Sequence, residues 1–278
     1  MREFQHRLQR LAEDFAGKLT LALTDLTTGE HIGIGEDEPM PAASVIKLPI
    51  LVTLYQAVDA RSLKLNDRLR YDERHRSPGT GLLKDLDCGV EMSVRDAAEL
   101  MITVSDNAAF NMIVDHLGGV DRVNAAFLAL GLQITTLKSR VEVSAPSPDG
   151  REFALTTASE IRALLEKIAR REMISPEACD DMVGILRRQR GRDKLSRSLP
   201  WNALNILPNP RDNWVASKDG VNIFNAVLND AAIMHGPRGE VAIAAFTECK
   251  GRVSMDPNHE GSTLLGQLGE LAWRTFCA

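Results

Sequence analysis

The sequence predicts an α/β fold in which one antiparallel sheet, built from both chain ends, is flanked by helices and carries an inserted all-helical lobe. Three observations predict it. Near the start, Leu19, Leu21 and Leu23 alternate with Thr20, Ala22 and Thr24, the period of two expected of a strand. Strand character returns only late, at Trp214–Ser217, Val227–Met234 and Val241–Thr247. Between about residues 43 and 199 the signals are almost all helical. Isolated hairpins are marginal in water, so strands at the two ends are expected to join one sheet. Residues 1–278 then form a single domain, with a sheet lobe from about 1–42 and 205–278 and a helical lobe from about 43–204.

Each element has a local reason. Phe4, Leu8, Leu11 and Phe15 lie at i, i+4, i+7 and i+11, the stripe of an amphipathic helix. Thr27-Thr28-Gly29-Glu30 turns the first strand into a hairpin running to about Ile34. In the helical stretch, Ser93 to Asp96 and Thr157 to Glu160 have capping-box spacing, and Ser175-Pro176 sets an N-cap before a first-turn proline. Gly118-Gly119 and Gly131 stand where helices end. The turn His235–Gly239 joins the last two strands, and a helix from about Ser262 to Phe276 closes the chain. Arg187, Arg188, Arg190, Arg192, Lys194 and Arg197 read as a solvated helix end and loop. Trp201 and Trp214 read as core or cleft wall.

Composition excludes several classes of function. With 44% hydrophobic and 26% charged residues the chain is ordinary soluble protein. Its 33 basic and 38 acidic residues give −5, which offers no general attraction to nucleic acid or to an anionic membrane. Cys88, Cys179, Cys249 and Cys277 are too scattered for a zinc site and read as free thiols, and the six histidines show no paired ligand spacing. No metal and no cofactor is therefore expected. The opening MREFQHRLQRLAEDF lacks the apolar core of a signal peptide, which points to the cytoplasm. The longest apolar run, around Leu48–Leu54, is far too short to span a membrane. Patterns such as G-x-S-x-G, H-E-x-x-H and the P-loop are absent.

Chemistry concentrates in three short motifs. Ser44-Val45-Ile46-Lys47 opens a very apolar helix, and a spacing of three puts the hydroxyl and the amine on one face. Serine needs a neighbouring base, and lysine serves when burial lowers its pKa. Leu48, Ile50, Leu51, Val52 and Leu54 predict that burial. At a helix start, the Ser44 N–H would also face a bound carbonyl. Alone the tetrad is a weak signal. Ser105-Asp106-Asn107 adds a polar break between two helices, and Lys218-Asp219-Gly220 adds a second lysine at the end of a strand starting near Trp214.

The order SxxK, SDN, K-x-G, with intervals of 61 and 113 residues, resembles the class A serine β-lactamases and their penicillin-recognising relatives. The resemblance runs over nearly the whole chain, from the first helix and hairpin to the last helix, and PAASVIKLPILVTL, GTGLLKDL at 79 to 86 and MITVSDNAAFNMIVDHLG at 101 to 118 also fit it. It implies a β-lactamase-like fold and a small-molecule substrate, a β-lactam or a peptidoglycan-like amide. Ser44 would be the acylated nucleophile and Lys47 its proton partner. Ser105 would relay a proton to the leaving nitrogen, and Asn107 would bind the substrate's amide side chain. Lys218 would orient both Ser105 and the substrate, with Gly220 beside it, and the N–H groups of Ser44 and Val221 would form the oxyanion hole.

Two departures qualify that expectation. The family's deacylating glutamate has an asparagine four residues on. Here Glu142 lies within one residue of the expected place, but no Asn occurs between Asn124 and Asn202, and Ala145–Gly150 reads as a different loop. Glu142 is thus either a deacylation base or a solvated carboxylate. Asp219 replaces the usual Thr or Ser, and would meet a substrate carboxylate with a repulsion on the order of 4 kcal/mol before screening. The sequence therefore predicts weak activity on classical penicillins and a ligand neutral or cationic at this end. The alternatives are a carboxypeptidase-like or esterase-like acyl hydrolase, or a non-turnover penicillin-binding sensor.

Overall fold

The computed structural model describes residues 2–142, 150–200, 213–223, 226–249, 256 and 258–278. Trp201 and residues 145–149 of the predicted loop lie outside the described residues. In chain order the elements are α1 (Arg2–Asp14), β1 (Lys18–Asp25), β2 (His31–Ile34) and β3 (Met40–Pro41), followed by a 3₁₀ turn over Ala43–Ile46. Then come α2 (Lys47–Asp59), β4 (Arg68–Arg70), β5 (Glu91–Ser93), α3 (Val94–Thr103), α4 (Asn107–His116) and α5 (Val120–Ala129). β6 (Thr136–Leu137), β7 (Ala154–Thr156), α6 (Ala158–Ala169) and α7 (Pro176–Arg187) complete the middle. β8 (Trp214–Asn222), β9 (Val227–Gly236), β10 (Gly239–Glu248) and α8 (Glu260–Ala272) end the chain.

The main sheet has the order β2-β1-β10-β9-β8, and every pairing is antiparallel. Both chain ends meet at its centre, where Lys18 to Asp25 pair with Glu248 to Val241. The period of two in β1 sends its residues to two different cores. Leu21 and Leu23 join Phe4, Leu8, Met234, Ile243, Leu264 and Leu268 on the face covered by α1 and α8. Ala22 joins Ile233, Ala244 and Phe246 with Leu48, Leu51 and Met101 on the helical side. A sheet buried on both faces is stabilised at roughly 25 cal/mol for each Å² of apolar surface withdrawn from water.

The caps form as their chemistry requires. Ser93 accepts from the Asp96 N–H and Asp96 answers at the Ser93 N–H, closing a full box. Thr157 caps Glu160 in the same way, but the Glu160 carboxylate turns elsewhere and accepts from the N–H groups of Gln133, Ile134 and Thr135. Several differences from the sequence reading stand out. β8 carries Lys218-Asp219-Gly220 as expected of a strand starting near Trp214, but continues past them to Asn222. The predicted turn at His235–Gly239 tightens, with Gly236 opposite Gly239 in register. The middle also holds the ladders β4-β5 and β3-β7-β6, whose strands of two or three residues are too short to show a period. Finally, Lys194 is not solvated; it is 3% exposed.

Candidate active site

Ser44 sits within the 3₁₀ turn and Lys47 begins α2. Such a turn has three residues per revolution, so i and i+3 eclipse one another and the two side chains leave from the same side. Ala43, at φ 45°, makes the bend between β3 and this turn. Of the other non-glycine residues in the left-handed region, Arg61, Ser105 and Arg171 lie just past α2, α3 and α6, where a left-handed residue closes a helix. Ala43 follows no helix, so it holds strain of roughly 1–3 kcal/mol that the surrounding packing must sustain.

Two neighbours on the sheet fix this turn. A β-carbon on Gly220 would stand 2.9 Å from the Ser44 nitrogen and 3.0 Å from the Val45 nitrogen, so only glycine lets β8 come this close. Opposite Gly220 in register is Asn229 of β9. Its amide donates to Pro41 O at 2.8 Å and Ala42 O at 3.3 Å, and its Oδ1 accepts from Thr247 N at 3.2 Å.

Lys47 is fully buried and reaches from α2 to the break between α3 and α4. Its Nζ donates to Ser105 O at 2.7 Å, to Ser105 Oγ at 3.0 Å and to Asn107 Oδ1 at 2.7 Å. Burial, and then the positive charge of Lys218, hold its pKa well below the usual lysine value. The break itself is braced by Asp106, which caps α4 through the Ala109 N–H and accepts from the N–H groups of Leu82 and Leu83. Gly79 and Gly81 of the GTGLLKDL stretch pack on Asn107 and Asp106 so tightly that a β-carbon would approach to 2.9 and 2.4 Å. That stretch is a brace for the Ser105 loop.

Lys218 is also fully buried. Its Nζ donates to Asp219 O at 2.7 Å and Asp219 Oδ1 at 3.2 Å. Asp219 is held from the other side by Gln189 Nε2 at 2.5 Å on Oδ1 and by Lys194 Nζ at 2.8 Å on Oδ2. Burial alone would raise the Asp219 carboxyl, but Lys218 and Lys194 outweigh it and hold it well below the carboxylate range. The bare like charge read from the sequence is therefore a carboxylate already compensated by two ammonium groups. Across the ladder from Asp219 lies Asp230, which accepts from the N–H groups of Leu195 and Ala231. Burial, and then the Asp219 charge, push Asp230 up to about 7.

The structure thus brings Ser44, Lys47, Ser105, Asn107, Lys218, Asp219 and Gly220 together, with Val221 next along β8 and 40% exposed. Glu142 ends a described segment that Asn111 anchors. The residue before it, Val141, is gripped by Asn111 through both its N–H and its C=O and packs on the helical core, while Glu142 is exposed. Sequence reasoning missed Gln189, Lys194, Asn229, Asp230 and Asn111. Asn229-Asp230 left one signal, a polar pair inside an otherwise apolar strand. Among the described residues, no group of three or more His, Cys, Asp or Glu could hold a metal ion, and no helix is long and apolar enough to cross a membrane.

Known proteins share this arrangement of sheet and helices. The beta-lactamase of Bacillus licheniformis is 26% identical over 248 residues, which cover 87% of this chain and 75% of that protein. The crystal structure of a beta-lactamase from Sphaerobacter thermophilus superimposes with a TM-score of 0.83 at 25% identity, over 99% of this chain and 97% of that one. PBP-A does so with a TM-score of 0.83 at 29% identity, over 99% and 96%. The Beta-lactamase2 model, described as the beta-lactamase enzyme family, matches residues 3–276, so the chain belongs to that family and has the class A β-lactamase fold.

Proposed function

We propose that this protein is a serine hydrolase that opens a β-lactam or a related amide through an acyl-enzyme on Ser44. The observation that carries the reading is the convergence on Lys47: one buried amine, lowered in pKa, within 3.0 Å of Ser105 Oγ and 2.7 Å of Asn107 Oδ1. Having given up a proton, so that it no longer makes all three donations, Lys47 takes the Ser44 proton as Oγ attacks the carbonyl carbon. The N–H groups of Ser44 and Val221 hold the oxyanion, a contribution of about 10²–10³ in rate for each donor. The amide C–N bond then breaks, and the proton returns from Lys47 through Ser105 to the leaving nitrogen. Water later cleaves the ester. Lys218 orients Ser105 and the substrate. Weak activity on classical penicillins fits Asp219.

A second reading, a penicillin-binding protein with a long-lived acyl-enzyme, is favoured by the exposure of Glu142. A point mutant of PBP-A forms an acyl-enzyme complex with penicillin G, and this chain is expected to accept the same bond at Ser44. Incubation with nitrocefin and a fluorescent penicillin, followed by intact mass, tests both. A transient adduct with product supports the hydrolase, and a lasting adduct supports the second reading. An adduct that persists in Ser44→Ala would overturn both.

A further inference from the structure

A carboxylate held by two buried lysines lies one residue from the glycine that abuts Ser44. Gly220 touches the Ser44 turn, Asp219 precedes it, and each Asp219 oxygen is engaged: Oδ1 by Gln189 and Lys218, Oδ2 by Lys194. The segment that supplies Gln189 and Lys194 is wrapped closely around this carboxylate. A β-carbon on Gly191 would stand 2.7 Å from Asp219 Oδ2, and Arg190 N donates to Thr103 O at 2.8 Å, tying the segment to the end of α3 beside the Ser105 loop.

We propose that Asp219, clamped by Lys194 and Gln189, acts as a built-in anion at this end of the cleft and selects acyl donors that carry no carboxylate there, uncharged lactams or esters. The inference rests on Ser44 being the acylated residue. Its physical basis is a charge balance. Lys218 and Lys194, fully buried and 3% exposed, could not both stay charged in that setting without an anion between them. In this chain the anion is covalently part of the strand. Among the described residues, the other carboxylate on Lys194 is Asp193, whose side chain is 54% exposed and so screened by solvent. An incoming carboxylate would have to take Lys218 from Asp219 while sitting beside it. An ester or amide faces no such competition.

Lys194 and Gln189 are specificity-determining residues on this view, acting through Asp219. Replacing Asp219 by Ser removes the internal anion and leaves two lysines facing a neutral hydroxyl, which turns the same pocket into a receptor for a carboxylate.

The test compares penicillin G with its methyl ester, which differ at that one group, an anionic carboxylate in the acid and an uncharged methyl-capped carboxyl in the ester. Rates of adduct formation at Ser44 are followed by intact mass for wild type, Asp219→Ser and Asp219→Ser with Lys194→Met. The wild type is expected to favour the ester by about tenfold or more in kcat/KM. Asp219→Ser is expected to reverse that preference, mainly through a lower KM for the acid, and the added Lys194→Met to cancel the reversal. A wild type acylated as readily by the acid as by the ester overturns the inference whether or not the variants fold, and leaves the Ser44 reading intact. An Asp219→Ser protein with an unchanged ratio does the same. If neither compound modifies Ser44, the acyl-enzyme reading falls and this inference falls with it.

Discussion

A β-carbon on Gly220 would stand 2.9 Å from the Ser44 nitrogen, and because that neighbour is backbone it cannot swing aside. Gly220→Ala must therefore displace either β8 or the turn that carries Ser44. Misplacing a reacting group by about 1 Å costs on the order of 10² in rate. Adduct formation at Ser44 in this variant is expected to slow by about 10- to 100-fold, with near-native circular dichroism. A wild-type rate measured by stopped-flow with nitrocefin would show that the strand does not fix the nucleophile.

The two buried lysines are coupled, and the coupling has a readable sign. Lys218 lowers the Lys47 pKa, second only to burial itself. If neutral Lys47 accepts the Ser44 proton, acylation rises with pH along a limb set by that pKa, below the ordinary lysine range. Lys218→Met removes a positive neighbour, so the limb is expected to move to higher pH as well as to lower amplitude. A plot of acylation rate against pH checks it. A limb that only loses amplitude would mean that Lys218 does not tune Lys47.

Much of this site was legible in the sequence, because motif residues carry their chemistry in short local patterns: a serine and a lysine one turn apart, a polar break between helices, a lysine beside a glycine. The caps at Ser93, Thr157 and Ser175 were legible for the same reason. What stayed hidden depends on distant pairings. Lys194 stood in a basic run that looks solvated until Asp219, 25 residues later, is seen to lie against it at 2.8 Å. Asn229 gave no hint that it reaches back 188 residues to Pro41. The last two residues of β8, Val221 and Asn222, stayed hidden because only their register with Leu228 and Val227 of β9 sustains them.

Stability should carry the mark of Asp230. Its folded pKa, about 7, lies above the ordinary carboxylate value, so the folded chain keeps a proton that the unfolded chain gives up. Its contribution is fully present below about pH 4 and is lost as pH rises toward 7. Glu240, pushed to about 7 by burial, adds to the same slope, whereas His75, whose pKa burial lowers, opposes it. Asp230→Asn isolates one group. Relative to wild type it is expected to gain stability as pH rises from 4 to 7, by a total on the order of 4 kcal/mol for about three pKa units. Urea midpoints at pH 4, 5.5 and 7.5 measure the difference, and a constant gap across them would contradict the assignment.

The fate of the acyl-enzyme turns on the segment that Asn111 holds. Asn111 binds both backbone groups of Val141, so Val141 is fixed one helical turn beyond Asn107, which itself contacts Lys47. Glu142, next in the chain, is exposed. A general base must come within hydrogen-bond reach of the water it activates, and an exposed side chain is not held at such a point. Glu142→Gln is therefore expected to change the decay of a Ser44 adduct by less than about twofold, against the 10²–10⁴ that removing a general base costs. The decay is followed by intact mass after excess penicillin is removed. A hundredfold longer adduct would place Glu142 at the ester and favour the hydrolase over the lasting acyl-enzyme.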